Sequence, residues 1–212
     1  MNERISTRCT AFAGNRRIAS GELGSVALAV KNVVDQGNQE PVLVFDDSTS
    51  ALIELDLRGT AGDVTQRLER AAEHAGTAGS VCHALADAHR GAGRPRLGVV
   101  AREVTLLPRH WDWLASQPGG ASVALRKLVE EARRANAGTD RVWLAKEAVY
   151  RFMSAVAGNR SGFEEAIRAL FAGDATRFAE QTQDWPVDVR QHAQKLAQAA
   201  FEPTNKADGD AR

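Results

Sequence analysis

The spacing of the apolar residues switches between two and about three and a half along the first third of this chain, and that switching constrains the fold more than any composition does. CTAFAG (9–14) and RRIAS (16–20) flank a Gly-Asn pair, which predicts two short strands joined by a turn. In ELGSVALAVKNVVDQ (22–36), Leu23, Val26, Ala27, Val30, Val33 and Val34 fall at helical spacing, and Gly37-Asn38 ends the run. The extended signal then returns. PVLVFDD (41–47) and ALIELDLRG (51–59) surround the turn residues Asp-Asp-Ser-Thr-Ser. In the second of these, Ala51, Ile53, Leu55 and Leu57 alternate with Leu52, Glu54 and Asp56, the pattern of a half-buried strand. AGDVTQRLERAAEHA (61–75) is helical again, with Asp63 placed early, as a cap or first-turn acid. The reading is strand-strand-helix twice, a small α+β domain over residues 1–80.

Beyond it the pattern weakens. Residues 76–96 are rich in Gly and Ala, and 81–96 reads as a linker. LGVVAREVTLL (97–107) is extended; Pro108 then opens a helix over 108–117, because proline suits the first helical turn. Pro118-Gly119-Gly120 is a turn, and Ser122 caps a helix over 122–134 with Leu125, Leu128, Val129 and Ala132 on one face. Residues 97–136 therefore form a central segment and 137–202 a helical domain, with helices at 140–158, 161–173, 174–183 and 185–201 and a disordered polar tail at 203–212. The fold class expected is α+β: an N-terminal repeat, a central strand-helix-helix segment and a C-terminal helical bundle.

Charge is unevenly spread. The chain is neutral overall, yet residues 1–88 carry net −4, residues 89–134 net +5 and residues 135–212 net −1. The basic excess sits in the central segment, which also holds Trp111 and Trp113. Two residues apart, these tryptophans cannot share a helical face. No apolar run reaches the roughly 20 residues that span a bilayer, and MNERISTRCTAFAG has no apolar stretch of a signal peptide. With Cys9 and Cys82 in no spacing pattern, a cytoplasmic protein with reduced thiols is expected. His74, Cys82, His83 and His89 fit no zinc spacing, and Asp46, Asp47, Glu54 and Asp56 read as a turn-rich acidic hairpin, so no metal and no cofactor is expected. No nucleophile elbow, phosphate loop or metalloprotease helix occurs, so the expectation is a protein that is not an enzyme.

Strand, proline, helix, Gly turn and capped helix within 98–134 resemble the ribbon-helix-helix DNA-binding domain. The resemblance implies a homodimer whose strands pair into a ribbon in the major groove, and a helix N-terminus that meets a phosphate. It implies DNA contacts from Arg102, Thr105, Arg109, Ser122, Arg126 and Lys127, and a dimer interface of Val100, Val104, Leu106, Trp111, Leu125 and Leu128. Two strand registers stay open: one buries Leu107, Thr105 and Glu103, the other Leu106, Val104 and Val100. GRPRLG (93–98) resembles minor-groove hooks and adds Arg94 and Arg96 to the DNA contacts. The implied function is a transcriptional regulator with an unknown protein or small-molecule effector. The alternative is an interaction scaffold that dimerises through the same strand without nucleic acid. The stretches AFAG, VLVFDD, LDLRG, GRPRLGVVAREVTLLPRHWDWL and WPVDVR also resemble a bacterial domain-of-unknown-function family, number 2239, over 9–201. That resemblance implies a bacterial, cytoplasmic protein and no particular activity.

Overall fold

The structure is a computed structural model that describes residues 8–71 and 102–202. It divides into two compact units, Met1–Ala72 with Gly138–Arg212, and Glu73–Ala137.

In the first unit, β1 (Arg8–Ala13) and β2 (Arg16–Glu22) form an antiparallel hairpin, and α1 (Leu23–Asp35) follows directly. β3 (Val42–Asp46) then pairs antiparallel with the free edge of β1, giving the order β2-β1-β3. β1 is central, and Cys9 through Ala13 are each 0 % exposed. Its alternate side chains enter two cores, as the two-residue period requires. Cys9 and Ala11 pack with Val26 and Val30 of α1 and Val44 of β3. Phe12 packs from the other face with Phe45 and the C-terminal helices. The register slips between Ala11 and Phe12, which leaves one extra residue on β2, a bulge.

The predicted second strand-strand-helix unit is incomplete. Residues 51–59 are not a strand: a single bridge joins Leu52 to Phe45, and Ile53 N donates to Val44 O at 2.8 Å. The burial alternation nevertheless holds, because Ile53, Leu55 and Leu57 pack on the α1-side core while Leu52, Glu54 and Asp56 are exposed. Alternation reports which side chains turn inward; it does not report whether a neighbour is present to continue the ladder. Residues 61–71 are helical (α2). Thr60 Oγ1 and Asp63 Oδ2 satisfy each other's backbone N–H groups, so Asp63 is the reciprocal partner in a capping box and Thr60 is the cap.

The central segment corrects the sequence reading in two ways. Residues 102–107 form no strand, while 97–101 lie outside the described residues. The helices expected at 122–134 and 140–158 are one 38-residue helix, α4 (Gly120–Ala157). Ser122 therefore lies inside a helix and caps nothing. Asn136 and Gly138, between the two expected helices, are poor helix formers. They interrupt nothing here, because one glycine costs only about 1 kcal/mol in a helix held by its neighbouring turns. α3 (Pro108–Ser116) begins at proline as expected.

The remaining helices match their expected positions. α5 (Phe163–Ala172) ends on a left-handed Gly173, and α6 (Ala175–Gln181) is capped by Asp174, whose carboxylate accepts from Arg177 N at 2.9 Å. α7 (Val187–Ala200) follows Pro186. Val149, Phe152 and Met153 of α4, Ala166 and Leu170 of α5, Phe178, Trp185, and Val189 and Ala193 of α7 make one apolar cluster with Phe12 and Phe45. The N-terminal strands and the C-terminal helices, separate segments in the sequence reading, thus share a core.

Candidate interaction surface

The α3–α4 hairpin carries the residues singled out in the sequence. Leu107 is extended, Pro108 sets the first turn, and Gly119 and Gly120 reverse the chain at φ +85° and +74°. An L side chain rarely adopts that backbone, which is why two glycines stand there. The hairpin buries little of itself. Over residues 102–137 only Leu114 and Ala124 are buried. Val104, Leu107, Trp111, Trp113, Leu128 and Val129 are all exposed, Trp111 at 40 % and Trp113 at 50 %. Of the expected interface residues, Val104, Trp111 and Leu128 are exposed, Leu106 and Leu125 are half-buried, and Val100 lies outside the described residues. Neither tryptophan is a core residue.

The expected DNA-contacting residues Arg102, Thr105, Arg109, Ser122, Arg126 and Lys127 are all exposed; Arg94 and Arg96 lie outside the described residues. Arg126 folds back along its own helix, its guanidinium donating to Ser122 O at 3.0 Å. Arg102, Arg109 and Lys127 form no ion pair among the described residues. Further along α4, Glu130 accepts from Arg133 at 2.8 Å and Arg134 at 3.1 Å. The hydrogen bond from Arg133 comes first among the causes that hold the Glu130 carboxyl below its usual range. Such three- and four-residue pairs support a helix that few neighbours cover.

A second group of polar residues was not singled out in the sequence. Thr10, fully buried in β1, donates to Asp47 Oδ1 at 2.6 Å and lies 2.8 Å from Ser20 Oγ. A threonine hydroxyl has one proton, so with that proton on Asp47 the Ser20 hydroxyl donates to Thr10. His192 of α7 is 2 % exposed, and its Nε2 has no hydrogen-bond partner. Its ring lies 4.6 Å from that of Phe152 and 5.4 Å from that of Phe12, centroid to centroid. Burial pulls its pKa down from 6.5 to about 4; the Asp47 charge opposes this, and Lys195 and Arg17 reinforce it. The sequence does hold a signal for it: His192 sits at the helical spacing of Val189, Ala193 and Ala197, on an apolar face. On the other face of β1, burial first, then Asp47 and Asp46, push the Cys9 thiol up to about 11, an inert thiol.

Asp46, Asp47 and Asp56, three of the four acidic residues of 46–56, have their own partners. Asp46 Oδ1 accepts from Ser48 N at 2.9 Å and Thr49 N at 2.8 Å, closing the turn. Burial raises its pKa, but the hydrogen bonds from Ser48 and Thr49 outweigh burial and leave it below the usual range. Asp56 binds Arg58 and lies 3.5 Å from Arg67. Among the described residues no three His, Cys, Asp or Glu side chains converge as a metal site would. The His74, Cys82, His83 and His89 group lies outside the described residues.

The family model for uncharacterized proteins conserved in bacteria, DUF2239, matches residues 8–197. The chain belongs to the DUF2239 family. The match covers both units, the hairpin together with the sheet and the helical core. No curated protein and no solved structure matches it. Among the described residues no helix is long and apolar enough to cross a membrane.

Proposed function

We propose that this DUF2239 protein is a non-enzymatic interaction protein that self-associates through its α3–α4 hairpin. One observation carries the reading: two buried side chains on the hairpin stand against six exposed large apolar ones, two of them tryptophans. Two helices do not enclose a core, and large apolar side chains left exposed together on one hairpin mark an interaction surface. Trp111 and Trp113, on different faces of α3, extend that surface in two directions, and aromatic residues are what interfaces enrich. The measurement is mass in solution by sedimentation, for the wild type and for Trp113→Ala combined with Leu128→Ala. A wild-type dimer that the double variant converts to monomer, with unchanged helix content, supports the reading. A wild-type monomer at tens of micromolar ends it.

A second reading, DNA binding by the dimer, is favoured by one specific feature. Arg102, Arg109 and Lys127 stand exposed without ion pairs among the described residues, in the stretch that carries the chain's basic excess. Affinity for mixed-sequence duplex DNA that falls steeply with salt would make the protein a regulator, since each phosphate neutralised steepens that slope. A dimer indifferent to DNA at low salt would leave the hairpin a protein-pairing surface.

A further inference from the structure

We propose that His192 is an acid-sensitive latch, which holds α7 on the β1–β2 face of the sheet while its imidazole is neutral and weakens that docking when the ring is protonated. The geometry puts a titratable ring where an apolar one would serve. Phe12 from β1 and Phe152 from α4 pack edge-on against it, and water reaches almost none of it. Nε2 has no acceptor or donor opposite it. A proton added there would be buried without a partner, which costs far more than burying the neutral ring.

The charged groups around the ring do not rescue it. Asp47, just past β3, is the one carboxylate that favours the imidazolium, and its Oδ1 already accepts from Thr10. Arg17 of β2 and Lys195, one turn along α7, are cations and oppose it. The same seam holds a second tie: Arg17 N donates to Asp188 Oδ2 of α7 at 2.9 Å. The state of the ring therefore adds to, or subtracts from, a docking that the apolar contacts of Val189 and Ala193 and this tie also hold.

The direction of the pH effect follows from the two states. In the unfolded chain the ring titrates near 6.5; in the folded protein it holds out to about 4. The folded state binds fewer protons between those values, so this contribution is complete above the unfolded value. It is lost as pH falls through the window and is constant below it.

The test is urea unfolding of the full chain and of His192→Phe at several pH values from 7.5 to 4. Relative to the variant, the wild-type unfolding constant should rise by roughly two orders of magnitude across that range, since each pH unit in the window contributes close to a factor of ten. Parallel pH profiles for the two proteins would overturn the proposal. Proton NMR of the wild type gives an independent reading that requires no folded variant. Of five histidines, the His192 ring signals should stay in the neutral position down to about pH 5 in the folded protein. Titration of His192 near its ordinary value in the folded state would overturn the proposal as well.

Discussion

β1 and the first half of α4 both carry runs of small and medium apolar residues, β1 beside one charged residue and the helix beside six, and they end in opposite environments. From Cys9 to Ala13 every β1 side chain is inaccessible, because α1 lies over one face of the sheet and the α4–α7 layer over the other. From Gly120 to Ala137 the helix buries only Ala124. The difference lies in how many elements converge. A central strand has two faces and two edges, and here sheet neighbours and helices occupy all four. A helix in a two-helix hairpin has at most one side covered, so most of its apolar residues stay in water unless another chain supplies the cover. The first region is organised for stability, and the second is the proposed contact surface.

Substitutions can break that comparison. The largest loss is expected from Phe152→Ala, which empties the junction of Phe12, Phe45 and His192; a cost of about 3–5 kcal/mol should appear in urea unfolding. A loss below about 1 kcal/mol would mean that the shared core is looser than described. Gly162→Ala should follow. Its φ is +78°, and an added Cβ would sit 2.6 Å from Gln181 O, so the α5–α6 packing must shift; about 1–3 kcal/mol is expected. Asp174→Ala removes the cap of α6 and should cost about 1 kcal/mol, while Asp174→Asn should restore most of it. Smallest is Trp113→Ala on the hairpin. Half exposed, it should change monomer stability by less than about 0.5 kcal/mol. Its effect should instead show in sedimentation, as weaker self-association. If Trp113→Ala unfolds the protein as Phe152→Ala does, the contrast between the two regions is wrong.

The sequence was most informative where local chemistry acts alone. The strand pair around Gly14-Asn15, the start of α3 at Pro108 and the stop of α5 at Gly173 were all legible, because turn and cap residues act within a few positions. It was less informative about 51–59 and about α4. Ile53, Leu55 and Leu57 announced an inward face, but a strand also needs a neighbour to pair with. The sequence reading ended one helix at 134 and opened the next at 140, yet an established helix propagates through Asn136 and Gly138. Arg109 and Lys127, expected at DNA, and Trp111 and Leu128, expected at a dimer interface, are all exposed. Of the strand expected over 97–107, the described residues 102–107 form none, and nothing among the described residues pairs with them.

His192 shows the boundary most plainly. Its place on the apolar stripe of α7 was written in the spacing, whereas the burial of Thr10 was not read from it. That Thr10 would reach Asp47, 37 residues away, and that His192 would lie against Phe12 and Phe152, came only from packing the sheet on the helices. Periodicity and turn chemistry are properties of neighbours in the chain, and they determined the elements and their inward faces. Which inward faces meet depends on contacts across tens to hundreds of residues, and only the tertiary structure decided those.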